Sequence, residues 1–140
     1  YMMGHFNWDD WMDEKSKYSS FKAYSKSKLA NILFTRELAH RVKAKNVTAH
    51  CFHPGLVSTD FGRQRGAENQ KSFFSSSLFR SLFMIDPKAG ADTGVFLTED
   101  PSARNSNGDF WIKRRVRKTN RFVNDIDAVK LWELSEKATR

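Results

Sequence analysis

The sequence predicts an α/β chain built on a doubly wound parallel-sheet plan, with too few strands to complete its sheet. Three observations carry this. An uninterrupted helical pattern over residues 21–43 runs through a short turn into a strand-like run at 47–53, which is the αβ half of a doubly wound unit. Only one further strand pattern follows, Phe110-Trp-Ile-Lys113. The length of 140 residues amounts to about one domain, and with no internal repeat or linker residues 1–140 read as a single partial domain.

Taken in order, the first eighteen residues mix aromatics with acids (Phe6, Trp8, Trp11; Asp9, Asp10, Asp13, Glu14) without periodicity, so they read as loop with one short helical turn. Ser19 and Ser20 are N-cap candidates for the long helix. Its apolar residues (Ala23, Leu29, Ala30, Ile32, Leu33, Phe34, Leu38, Ala39, Val42) recur at spacings of three and four, over an arc wide enough for packing on two sides. Asn46 is the stop. Val47-Thr-Ala-His-Cys-Phe-His53 is rich in β-formers and ends at Pro54-Gly55. Residues 61–70 read as loop, and Phe73, Phe74, Leu78, Phe79, Leu82 and Phe83 recur at helical intervals. Asp86-Pro87 starts a helix, with Asp as cap and Pro at the first helical position, running to about Thr98. A terminal amphipathic helix is predicted over 125–138.

Composition narrows the class. Twenty-four Lys and Arg against 16 Asp and Glu give a net charge of +8. Twelve Phe, 4 Trp and 3 Tyr are too many aromatics for a disordered chain. The single cysteine, Cys51, rules out an internal disulfide and every Cys-rich zinc framework. It reads as a small buried hydrophobe. No run approaches the ~18 apolar residues of a membrane span, and the first residues lack a signal-peptide layout. His53 reads as a turn residue with a satisfied imidazole, and His5, His40 and His50 show no metal spacing, so no metal site is expected.

Tyr24 and Lys28 stand four apart on the long helix and so share one face. A phenol with a pKa near ~10 is a poor acid or base at neutral pH, and a neighbouring ammonium favours its phenolate form. Such a pair suits proton exchange in carbonyl/alcohol interconversion, although Tyr-x-x-x-Lys also arises as an ordinary exposed pair. Downstream, His53-Pro54-Gly55-Leu56-Val57-Ser58-Thr59 leaves a strand end, where ligands bind in open α/β sheets. Pro-Gly permits a tight turn there. Backbone groups and the Thr59 hydroxyl are then placed to hold an amide such as nicotinamide.

In this order and spacing the pieces resemble the short-chain dehydrogenase/reductase family, over nearly the whole chain. Tyr24-Ser-Lys-Ser-Lys28-Leu-Ala-Asn-Ile-Leu-Phe-Thr-Arg-Glu-Leu38 resembles the active-site helix of its retinol-dehydrogenase-like branch. Pro54-Gly55-x-Val57-x-Thr59 is similar to the nicotinamide-side loop. Pro87-Lys-Ala-Gly-Ala91 and Leu131-Trp-Glu-Leu-Ser135 resemble the branch's late helices, and Asn7-Trp-Asp-Asp10 the segment before the active tyrosine. The resemblance implies the C-terminal part of a doubly wound (Rossmann-like) parallel-sheet domain, incomplete, from an NAD(P)(H)-dependent oxidoreductase with NAD or NADP as cofactor. It makes Tyr24 the general acid in reduction and the base in oxidation. Lys28 would stabilise the phenolate and bond the nicotinamide ribose, with Tyr24, Lys28, Pro54, Gly55, Val57 and Thr59 on the cofactor. The implied substrate is a lipophilic alcohol or carbonyl, retinoid-like or another lipid. The intact protein would be a homo-oligomer, in the cytoplasm or on a cytoplasm-facing membrane surface. Membrane contact would come through an N-terminal segment or through the stretch 73–83 acting as an apolar lid.

The family's Gly-rich phosphate loop, Asn-Ala-Gly strand end and catalytic serine lie before the active tyrosine and have no match here. Gly62-x-x-x-Gly66 and Gly90-x-x-x-Gly94 follow no predicted strand and read as a loop and a close-packed helix. Half a catalytic site is therefore expected, and activity from these residues alone is not. With two strands for a sheet, Leu29, Ile32, Leu33, Phe34 and Leu38 would each forgo ~1.5–3 kcal/mol of burial. Together that rivals a domain's whole stability of ~5–15 kcal/mol, so poor folding in isolation is expected. Two other readings compete. A catalytically incompetent product would dock on full-length relatives through the long helix. A basic polyanion-binding protein would use Lys113-Arg-Arg-Val-Arg-Lys118 and Arg121, yet no helix-turn-helix, aromatic platform or zinc finger accompanies this tract, which argues for a solvated strand end and loop.

Overall fold

The computed structural model describes residues 4–55, 57 and 85–140. Helix α1 spans Ser20–Val42. Ser19, not Ser20, is its cap, its hydroxyl accepting from the Lys22 N–H. The helix unwinds through one 3₁₀ turn, Lys43–Lys45, and stops at Asn46, whose left-handed φ of 55° turns the chain away. Strand β1, Cys51–His53, is shorter than expected. Residues 47–50 stay outside the ladder because β2 supplies partners only from Cys51 onward. Their polar groups go elsewhere: the Ala49 N–H donates to Asn107 Oδ1 at 2.8 Å, and the Ala49 carbonyl accepts from the Gly108 N–H.

Helix α2, Pro87–Glu99, starts as the sequence requires, with the Asp86 carboxylate accepting from the Lys88 N–H and Pro87 in the first turn. A 3₁₀ segment, Pro101–Asn105, leads to β2, Phe110–Ile112, and then to β3, Arg115–Val116. The strand order is β1-β2-β3, with β1 and β2 parallel (Cys51 opposite Phe110, His53 opposite Ile112) and β3 antiparallel to β2. The basic tract, expected as a solvated strand end and loop, is exposed as expected, but its residues Arg115–Val116 pair with β2 as strand β3. Helix α3 spans Asp125–Ala138, capped by Asn124, whose side chain accepts from the Asp127 N–H.

Alternation along the strands sorts the sheet's faces. The Phe52 ring lies 2.8 Å from where a Cβ on Gly94 would stand, and the ring of Trp111 lies 5.7 Å from that of Phe96, so this face meets α2. Cys51, His53, Phe110 and Ile112 turn to the α1 side, where they share a cavity with that helix. The other flank of α1 packs on α3: Leu29, Leu33, Ala128 and Leu131 form the core, with Phe6, Trp8 and Trp11 against it. Arg36 pairs with Asp125 across the two helices, and the ring of Phe34 stacks on that of Trp132 at 5.2 Å.

The expected loss of burial is thereby corrected. Leu29 and Leu33 are buried within this chain, because α3 and the N-terminal aromatics cover them, and Ile32 is buried on the cavity side of α1. Phe34 remains 47 % exposed and Leu38 half-buried. The N-terminal loop does contain its one short helical turn, Trp8–Asp10. The expected helix 73–83, the loop 61–70 and Thr59 lie outside the described residues. Among the described residues no helix is long and apolar enough to cross a membrane.

Candidate active site

Tyr24 and Lys28 open into one cavity of about 530 Å³, together with Phe21, Asn31 and the chain from Cys51 to Gly55. Its volume lies within the ~300–1,000 Å³ of ordinary ligand sites. Tyr24 is half exposed. Among the described residues its hydroxyl has no hydrogen-bond partner, while its carbonyl accepts from Ser27 Oγ at 2.8 Å. The Lys28 ammonium stands over the phenol ring, 5.3 Å from its centroid. An ammonium at that distance is attracted by the ring face and stays within reach of the cavity mouth.

The turn of α1 that carries these groups is held from outside. A Cβ on Gly4 would lie 2.5 Å from the Ser25 carbonyl oxygen, so the N-terminal segment rests directly on the helix there and only glycine fits. Lys26 Nζ donates to the Trp11 carbonyl at 2.8 Å and pairs with Asp13. The loop supplying these partners is folded around Asp10, whose carboxylate accepts from the N–H groups of Glu14 and Lys15 and from Ser16 Oγ. Burial alone would raise the Asp10 pKa. The bonds from Lys15, Ser16 and Glu14 outweigh it and hold the carboxyl below its ordinary value.

The opposite wall is the end of β1. His53 closes the strand as its last residue, not as the expected turn residue, and Pro54-Gly55 follows. Gly55 has φ +91°, and a Cβ there would lie 2.8 Å from Ile85 Cδ1, so both conformation and space require glycine. Val57 forms a parallel bridge with Ile85, and its Cγ2 would lie 2.6 Å from a Cβ on Gly90 of α2. The Gly90/Gly94 pair is thus a close-packing device for Val57 and Phe52, in line with its sequence reading.

Cys51 is half-buried, a correction to the buried hydrophobe expected, because the cavity lies on one side of it. Burial pushes its thiol up to about 11, which rules it out as a neutral-pH nucleophile. Burial likewise lowers the pKa of His50, whose Nδ1 accepts from Trp111 Nε1 at 3.3 Å. Among the described residues no three His, Cys, Asp or Glu side chains cluster as metal ligands. Phe21, Ser25 and Asn31 also line the cavity and were not singled out by sequence reasoning. Their positions three before, one after and seven after Tyr24 on one helix were the available signal.

The residues present fit the nicotinamide–ribose end of a dinucleotide: a cation and a phenol stand at the rim of a cavity closed by a glycine turn. Among the described residues the pyrophosphate end has no such match, since Gly90 and Gly94 are covered by Val57 and Phe52.

A family model described as short chain dehydrogenase matches residues 12–70. Human retinol dehydrogenase 14 is 38% identical over 138 residues, covering 97% of this chain and 40% of that protein. Mouse retinol dehydrogenase 13 is 31% identical over 136 residues, covering 94% and 40%. Among solved structures, that of an uncharacterized protein from Mycobacterium paratuberculosis superposes with a TM-score of 0.65 at 26% identity, over 97% of this chain and 45% of that one. The chain spans about 40% of the length of these curated relatives. Helix, cavity, glycine turn and relatives agree: the chain belongs to the short-chain dehydrogenase/reductase family, in its retinol-dehydrogenase-like branch.

Proposed function

We propose that the chain supplies the proton-transfer helix and the nicotinamide-side wall of an NAD(P)(H)-dependent oxidoreductase that interconverts a lipophilic alcohol and its carbonyl. The observation that carries this reading is the shared cavity: Tyr24 and Lys28 open into the same space as Pro54 and Gly55.

In the reductive direction Tyr24 Oη donates a proton to the carbonyl oxygen, and in the oxidative direction the phenolate takes it back. Lys28 stabilises that phenolate and, by resemblance to the family, donates to the nicotinamide ribose. NAD(P)(H), when bound, supplies or accepts the hydride. By resemblance to the family, the backbone at Pro54, Gly55 and Val57 and the Thr59 hydroxyl would hold the carboxamide of that cofactor. Phe21, Phe110 and Ile112 line the cavity and favour an apolar substrate. Support for a retinoid-like one comes from the names of the relatives, retinol dehydrogenases 13 and 14.

The test is Tyr24→Phe in the protein made from its complete reading frame. Turnover of a retinoid-like aldehyde with NADH or NADPH should fall by about 10²–10⁴-fold, while cofactor binding, followed by fluorescence, persists. Near-normal turnover removes Tyr24 from this role.

A further inference from the structure

At the edge of the sheet, the chain passes from β2 to β3 through two residues, Lys113 and Arg114, both left-handed at φ 50° and 57°. Such a two-residue turn normally takes Asn-Gly or another glycine pair. Here two long basic side chains occupy it, in a conformation that L-residues adopt at a cost. The turn is held in place from α2. The Arg114 N–H donates to Thr93 Oγ1 at 3.2 Å, and its guanidinium makes a two-pronged pair with Asp92. On the strand side, the Arg117 N–H donates to the Phe110 carbonyl at 2.8 Å.

The hairpin fixed in this way presents Lys113, Arg115, Arg117 and Lys118 to solvent. Lys26, Arg36, Arg41 and Arg114 each have a carboxylate partner. Among the described residues, none of the four hairpin cations does. We propose that this hairpin is an electrostatic anchor for an anionic phospholipid surface, with its four cations, unpaired among the described residues, at the headgroups. A nucleic acid fits less well. The neighbouring aromatics Phe110 and Trp111 are buried and the ring of Phe122 lies under Arg121, so none of the three is free to stack on bases.

Full-length protein is floated with vesicles of phosphatidylcholine alone and with phosphatidylserine added, at low and high salt. Each basic residue close to an anionic surface contributes roughly fivefold in binding. Arg115→Glu/Arg117→Glu/Lys118→Glu should therefore weaken binding to the phosphatidylserine vesicles by more than ~100-fold. High salt should do the same to the parent protein, whereas Arg115→Lys/Arg117→Lys/Arg121→Lys should retain binding. Should the glutamate variant fail to fold by circular dichroism, the salt series and the lysine variant decide alone. Binding that ignores phosphatidylserine or salt, a folded glutamate variant that binds normally, or charge-dependent binding to double-stranded RNA without vesicle binding would each overturn the proposal.

Discussion

The two flanks of α1 differ sharply, one sealed against a neighbouring helix and the other bordering open space. Toward α3, Leu29 and Leu33 are 1% and 0% exposed and meet Ala128 and Leu131. Toward the sheet, Tyr24, Lys28 and Asn31 border an open cavity. Tyr24 and Leu29 are five residues apart, yet one is half exposed and the other sealed. The sealed flank fixes the helix as a rigid body, which lets the open flank keep polar groups unpaired and still well placed. A site borne on a packed helix holds its geometry better than one on a loop.

Four measurements break or sharpen this contrast. The largest effect is expected on the sealed flank: Leu33→Ala should cost about 2–5 kcal/mol in urea unfolding, and a cost under ~1 kcal/mol would mean that α1 and α3 are loosely packed. Next comes the cavity wall. The Cys51 thiol, raised by burial from 9.0 to about 11, holds roughly 100-fold less thiolate at neutral pH than an unperturbed thiol. Its alkylation by iodoacetamide should be slower by that factor than in the unfolded chain, rising about tenfold per pH unit toward pH 11. A rate equal to that of the unfolded chain would show that water reaches the sulfur freely. Removing the α3 cap with Asn124→Ala should cost about 1 kcal/mol by thermal melting. The smallest change belongs to the open flank, where Tyr24→Phe should move stability by no more than ~0.5 kcal/mol. A larger loss would mean that the hydroxyl is a structural group.

Local rules made much of this legible. Asp86 before Pro87 gave α2 its start, because capping is decided within four residues, and the apolar spacing over 125–138 gave α3. The spacing of Tyr24 and Lys28 put both on one face before any coordinates. Three features depended on distant partners and were harder to read. Strand β1 was drawn too long because its ladder is set by β2, nearly sixty residues on, whereas β-propensity runs back to Val47. Strand β3 escaped because its turn has neither Asn nor Gly and relies on Asp92 and Thr93 for support. The N-terminal loop looked formless because its anchors are remote: Trp8 Nε1 donates to Asp127, 119 residues away.

That last bond has a kinetic side. Trp8 and Asp127, 119 residues apart, can meet only after the chain between them has looped back on itself, as can Leu33 and Leu131, and closing so large a ring is slow. During synthesis α1 leaves the ribosome with only the N-terminal aromatics against its leucines and waits for α3 to cover the rest. Chaperone demand should therefore fall as α3 emerges, and termination before residue 125 would leave Leu29 and Leu33 without Ala128 and Leu131.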